Sequence, residues 1–117
     1  MMITAYKLLR VRRDGSLGPL FIGRHIVIPI GKWLKAKSIP TKGFALRIGW
    51  HACSAPYAPH LSKKNRIWCK VSLKGIRKYY RPKTQGGLWY VAKWMRVEEA
   101  DTYKGRERIL NREFSHE

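Results

Sequence analysis

Arg66-Ile67-Trp68-Cys69-Lys70-Val71-Ser72-Leu73 is the stretch from which the fold is read. Ile67, Cys69, Val71 and Leu73 fall on one side of an extended segment, and Trp68, Lys70 and Ser72 on the other. That is the period-2 pattern of a strand with one buried face. Downstream, residues 88–97 are apolar on both faces through Trp89, Tyr90, Val91, Trp94 and Val97, which predicts a central strand. Between the two lies a basic segment, residues 74–87, with Tyr79, Tyr80, Arg81, Pro82 and Gln85-Gly86-Gly87, which reads as a long functional loop.

Upstream, residues 3–11 alternate Ala5, Lys7 and Leu9 against Tyr6, Leu8 and Arg10, a first strand that ends before a tight turn at Asp14-Gly15. Residues 20–30 are rich in isoleucine and valine but interrupted by Gly23 and stopped by Pro29 and Gly31, as in a bent or edge strand. A helical turn is expected over residues 32–37, a loop through Ser38, Pro40, Thr41 and Gly43, and an extended segment over 44–53. Pro56 and Pro59 limit residues 55–61 to a short helix, and 62–65 form a basic turn. Asp101 is placed to cap a C-terminal helix over 102–114. The expectation is an α+β fold: one small domain over 1–117, with a core over 3–97, a mainly antiparallel twisted sheet, short helical turns, and a C-terminal helix or tail over 98–117.

Charge narrows the function. The chain has 25 lysines and arginines against 7 acidic residues, a net charge of +18. No aspartate or glutamate occurs from Gly15 to Val97, and the acidic residues gather at the C-terminus. Such a body repels itself, and its natural counterion is a polyanion. Nucleic acid or a nucleoprotein complex is therefore the expected partner, RNA rather than DNA, because no segment free of carboxylates offers a recognition helix for the major groove. An inhibitor of an acidic protein surface is a third class.

Cations and rings interleave as in single-strand binders, where lysine and arginine follow phosphates and aromatic rings stack on bases. The candidates are Lys63, Lys64, Arg66, Trp68, Lys70, Arg77, Lys78, Tyr79, Tyr80, Arg81 and Lys83. The competing reading makes Trp68 a core residue covered by the C-terminal helix, Lys70 a snorkelling lysine, and Tyr79 and Tyr80 packing groups under a loop.

Chemistry has one candidate centre, Gly49-Trp50-His51-Ala52-Cys53 with His60. His51 and Cys53 share a face of an extended segment, and with His60 and Cys69 they supply four zinc-type donors. Against zinc stands the spacing, which lacks a C-x-x-C knuckle. Nucleophilic catalysis by a cysteine with His51 or His60 as base lacks an orienting carboxylate between residues 15 and 97. The enzyme question stays open, with binding favoured and no cofactor indicated. Cys53 and Cys69 are too few for a disulfide framework, no apolar run reaches the about 20 residues of a bilayer span, and the N-terminus lacks a cleavage site. A cytoplasmic protein with no membrane partner is expected.

The segments GFALRIGWHACSAPYAPHL (43–61), RIWCKVSL (66–73) and RPKTQGGLWYVAKWMRV (81–97) resemble small, functionally undefined proteins of bacteriophages and prophages. That resemblance implies an origin, and with it a counter-defence role in the host cytoplasm, such as occupying the nucleic-acid channel of a CRISPR nuclease or holding its guide RNA. The order of N-terminal strand, G-W-H-x-C turn and late strand also resembles ADP-ribosyltransferase-like domains. Those carry a catalytic glutamate near a late strand, whereas here the 85–87 segment has none and Glu98 and Glu99 follow Val97. This second resemblance implies a degenerate site or a binding use.

Overall fold

Alternation of small or branched apolar residues with polar ones draws two segments into long strands, and their pairing organises the rest. The computed structural model describes residues 1–20, 26–36, 49–61 and 64–98. Six strands lie within them: β1 (Met2–Val11), β2 (Leu17–Gly18), β3 (Trp33–Lys35), β4 (Trp50–Cys53), β5 (Arg66–Tyr80) and β6 (Leu88–Val97). β1 pairs with β5 from Met2↔Lys74 to Arg10↔Arg66, and β5 pairs with β6 from Val71↔Val97 to Tyr80↔Leu88. β6 takes β4 on its other side, from Trp50↔Ala92 to Cys53↔Trp89, and β4 returns to β1 through Tyr6↔Cys53. The sheet thus closes on itself, with every strand pair antiparallel. β2 extends the β1 edge and β3 the β6 edge.

The α+β expectation is overturned. Strand accounts for 57% and helix for 4% of the described residues, and no helix reaches seven residues. The one helical piece among the described residues is a 3-10 turn at Lys83–Gln85. Residues 102–114, expected as a terminal helix, lie outside the described residues, as do 21–25 and 37–48. Residues 32–37, expected as a helical turn, contain β3 instead, because the β6 ladder captures Trp33, Leu34 and Lys35. Residues 26–29 are not strand. Pro29 can donate no ladder bond, and the Ile26 carbonyl is taken by Arg12 Nη2 at 2.7 Å. Residues 74–80, expected as loop, continue β5. The loop is confined to the turn that joins β5 to β6.

The ring encloses Ala5, Leu9 and Val11 of β1, Ala52 of β4, Cys69, Val71 and Leu73 of β5, and Ala92, Met95 and Val97 of β6. Alanine at positions 5, 52 and 92 leaves room for the larger Leu9, Leu73 and Met95. On β5 and β6 the inward positions change parity: Val71, Leu73, Met95 and Val97 give way to Ile76, Tyr90 and Ala92. The change occurs at Gly75, which has φ +65° and lies opposite Lys93. A left-handed residue reverses the side on which the following side chains emerge, and glycine adopts it without strain. Gly75→Ala therefore lowers stability by about 1–2 kcal/mol, since its β-carbon would also sit 3.1 Å from Lys93 Cβ; equilibrium urea unfolding measures this.

Lys7 occupies an inward position of β1, beside Ala5 and Leu9 and across from Cys69. Its Nζ donates to the His51 carbonyl at 2.6 Å, tying β1 to β4 where the ring is joined by the Tyr6↔Cys53 pair. Burial pushes its pKa from 10.5 down to about 8, and the neighbouring Cys69 opposes that shift. Below pH 8 the folded and unfolded chains both hold the proton, so the burial penalty is present in full. Between pH 8 and 10.5 the unfolded chain retains a proton that the folded one has released, and stability rises with pH. The ceiling on this effect is roughly 3 kcal/mol, at about 1.36 kcal/mol per unit. Lys7→Met is accordingly more stable than wild type at pH 7 by about 1–3 kcal/mol. The advantage shrinks toward pH 10.5 in paired urea titrations.

Candidate functional site

A second apolar cluster lies on the outer side of the ring. Cys53, Ala58 and Trp89 are buried there, with Leu61, Trp68 and Tyr79 packed against them. Antiparallel register aligns Cys53, Trp89 and Tyr79 across β4, β6 and β5, and His51, Val91 and Arg77 in the next row. The parity change at Gly75 turns Tyr79 outward, while closure of the ring brings Trp68, at the far end of β5, to the same cluster.

Above this base the rings form a continuous series. His51 meets Tyr79 edge-on at 5.8 Å, Tyr79 stacks on Trp89 at 6.3 Å and 27°, and His60 meets Trp89 edge-on at 6.2 Å. His51 Nδ1 and Tyr79 Oη are 3.0 Å apart. The Arg81 guanidinium carbon stands 5.5 Å from the Tyr79 ring centre and 5.6 Å from that of Trp89, within cation–π range of both. The turn after β5 positions Arg81: its N–H donates to the Gly87 carbonyl at 2.7 Å, and Trp89 Nε1 donates to the Gln85 carbonyl at 2.7 Å. Gly86, at φ +97°, fits the close approach of Trp89 Nε1, the Tyr57 carbonyl and Cys53 Sγ, each within 3.0 Å of where a β-carbon would stand.

The structure redistributes the candidates read from the sequence. It gathers His51, Cys53, His60, Arg77, Tyr79 and Arg81 on one face and adds Trp89. Trp68 joins the base of this face, its indole N–H buried and without a hydrogen-bond partner among the described residues, while Lys70 is exposed. Lys78 and Tyr80 emerge on the other side of β5, Tyr80 with 77% of its surface exposed. Lys64 and Lys83 are exposed on turns, and Arg66 begins β5. Lys63 lies outside the described residues.

The zinc-type donors do not converge. Cys69 points into the inner core and Cys53 into the outer cluster, and no group of three metal-type ligands occurs among the described residues. Cys53 is fully buried, its Sγ directed at the carbonyls of Tyr57, Gly86 and Leu88 at 3.5, 3.5 and 3.8 Å. With three carbonyl acceptors around its sulfur, Cys53 anchors the turn. Glu98, the glutamate nearest a late strand, accepts from Ser72 Oγ at 2.6 Å and from Arg96 Nε at 2.9 Å. The Ser72 hydrogen bond, then Arg96, hold its carboxyl below the usual range. Asp14 is likewise engaged, accepting from the Ser16 N–H at 2.9 Å and its hydroxyl at 2.7 Å. Neither described carboxylate lies on the aromatic face.

Desolvation against Trp89 and, second, the charge of Arg81 hold the His60 ring below the ordinary histidine pKa. The ring is therefore neutral at pH 7 and acts as a flat surface rather than a cation. In a two-dimensional NMR titration, His60 has a midpoint below the model-peptide value. Arg81→Gln raises that midpoint, and an unchanged midpoint would show that the guanidinium does not face the ring. Compared with protein families, with curated proteins and with solved structures, the chain matches none of them.

Proposed function

We propose that this domain binds nucleic acid, single-stranded RNA foremost, free or within a nucleoprotein, on the outer face of β4, β6 and β5. The observation that carries the reading is the series of ring contacts His51–Tyr79–Trp89–His60, with Tyr79 stacked on Trp89 and Arg81 over both of those rings. Tyr79, His51 and His60, the rings of the series that reach solvent, offer flat faces to bases of any sequence over the buried Trp89, while Arg77 and Arg81 meet phosphates on the same face. The chain around it carries +18. Binding of this kind reads backbone and stacking rather than base edges.

The resemblance to phage and prophage proteins extends the proposal to a purpose. A small cationic domain that sequesters guide RNA would block a host defence nuclease.

The test measures affinity for a fluorescent single-stranded RNA, duplex RNA and duplex DNA between about 50 and 300 mM salt. The single strand is expected to bind most tightly and to remain bound at the upper end. Arg77→Gln with Arg81→Gln lowers the slope of log K against log salt by about 1.4, at about 0.7 per single-strand phosphate contact. Tyr79→Phe, which keeps the ring, retains wild-type affinity, and Tyr79→Ala loses about 5- to 150-fold, the equivalent of about 1–3 kcal/mol for one stacked base. Equal affinities for all three probes that vanish together with salt would leave counterion release alone and sink the proposal.

A further inference from the structure

The proposed face uses the far half of the β5–β6 hairpin. The near half, on the other side of Gly75, carries a second set of rings and cations. Across β3, β6 and β5 the register aligns Lys35, Trp94 and Lys74 in one row, and Trp33, Arg96 and Ser72 in the next. These side chains occupy positions of opposite parity to Met95, Val97 and Leu73, which point into the core, so they project outward.

Two tryptophans stand in this outward set, and they differ in their surroundings. Trp33 is covered by cations: Lys74 Nζ lies 4.0 Å from its ring centre and the Arg96 guanidinium carbon 4.9 Å. Trp94 has 39% of its surface exposed, flanked by Lys35 and Lys74 as its cross-strand neighbours. Lys93, exposed at the Gly75 crossover, stands between the two halves of the hairpin. The described carboxylate nearby, Glu98, is held by Ser72 and Arg96.

Resting on the function proposed above, we infer that Trp94 with Lys35 and Lys74 is a second stacking subsite for the same nucleic-acid strand, which runs along the hairpin from Tyr79 and Trp89 past Lys93. An exposed ring with a lysine at the paired position on each neighbouring strand, one of them, Lys74, reaching over the adjacent Trp33 ring, suits a base flanked by phosphates, and the charge is complementary to a polyanion. Trp89 and Trp94 are five residues apart on β6, so at about 3.3 Å per residue the two subsites lie within about 17 Å. At the duplex rise of about 3.4 Å per nucleotide, a strand that keeps its bases stacked spans that distance in about five nucleotides. Length of the ligand, rather than its sequence, then controls affinity.

The experiment compares fluorescein-labelled oligouridylates of 4 and 12 nucleotides on wild type, Trp94→Ala, Lys35→Glu and Tyr79→Ala, each variant first shown to melt as a folded protein. The 12-mer is expected to bind wild type at least about tenfold more tightly than the 4-mer, because it bridges both subsites. Trp94→Ala weakens the 12-mer by about 5- to 150-fold, the range for one stacked base, and brings it toward the 4-mer. Lys35→Glu, which leaves every ring in place, weakens the 12-mer in the same direction. Wild-type affinity for the 12-mer in both Trp94→Ala and Lys35→Glu, with loss in Tyr79→Ala, would overturn the second subsite and leave the first intact. No loss in any variant, Tyr79→Ala included, would overturn both.

Discussion

β5 serves two partners, and the architecture depends on how it divides between them. Its first nine residues lie along β1 and its last ten along β6, overlapping where Val71 to Lys74 is paired on both sides. A strand shared in this way must coil, and coiling brings β1 round to β4, where Tyr6↔Cys53 and the Lys7 bond to the His51 carbonyl close the ring. Closure leaves few open strand edges among the described residues, which suits a domain whose apolar core is modest. It also accounts for the second cluster, because Trp68 and Tyr79 stand 11 positions apart on β5 and meet only when the sheet wraps.

Gly75 decides where chemistry-bearing side chains go. Without a reversal of facing, Tyr79 would point toward the core together with Val71 and Leu73, and Ile76 would point outward. With it, Ile76 fills the core while Tyr79 stacks on Trp89. The same crossover separates two outward surfaces on one hairpin, one built on Tyr79 and Trp89, the other on Trp94 and Trp33. Each combines rings with cations, and each is held by backbone ladders rather than by a loop, which limits the ordering entropy of binding.

Electrostatics act differently inside and outside. Outside, the excess of lysine and arginine is dispersed over exposed positions such as Lys70, Arg77, Lys78 and Lys83, where water screens mutual repulsion. Inside, Lys7 is a cost that the fold accepts, offset by the His51 carbonyl. The two described carboxylates are committed to local structure, Asp14 to the turn with Ser16 and Glu98 to Ser72 and Arg96. The cationic face is thus left without internal counterions among the described residues.

Sequence alone determined what short-range periodicity can carry. The alternation of residues 67–73, the run 88–97 with apolar residues on both faces, the strand ending before Asp14-Gly15 and the shared face of His51 and Cys53 all follow from a side-chain period of two. The cationic body was equally legible, since charge is a sum over residues. What tertiary structure decided is whatever depends on a partner far along the chain. Trp33-Leu34-Lys35 became strand because β6 offered a ladder, and residues 74–80 stayed strand because β6 pairs with them past the Gly75 reversal that breaks their period. Separate candidate lists, histidines and cysteine on one side and tyrosine and arginines on the other, merged into one face because the sheet closes. A closed sheet places residues by register across strands, and register is a property of pairs of segments that neither segment encodes by itself.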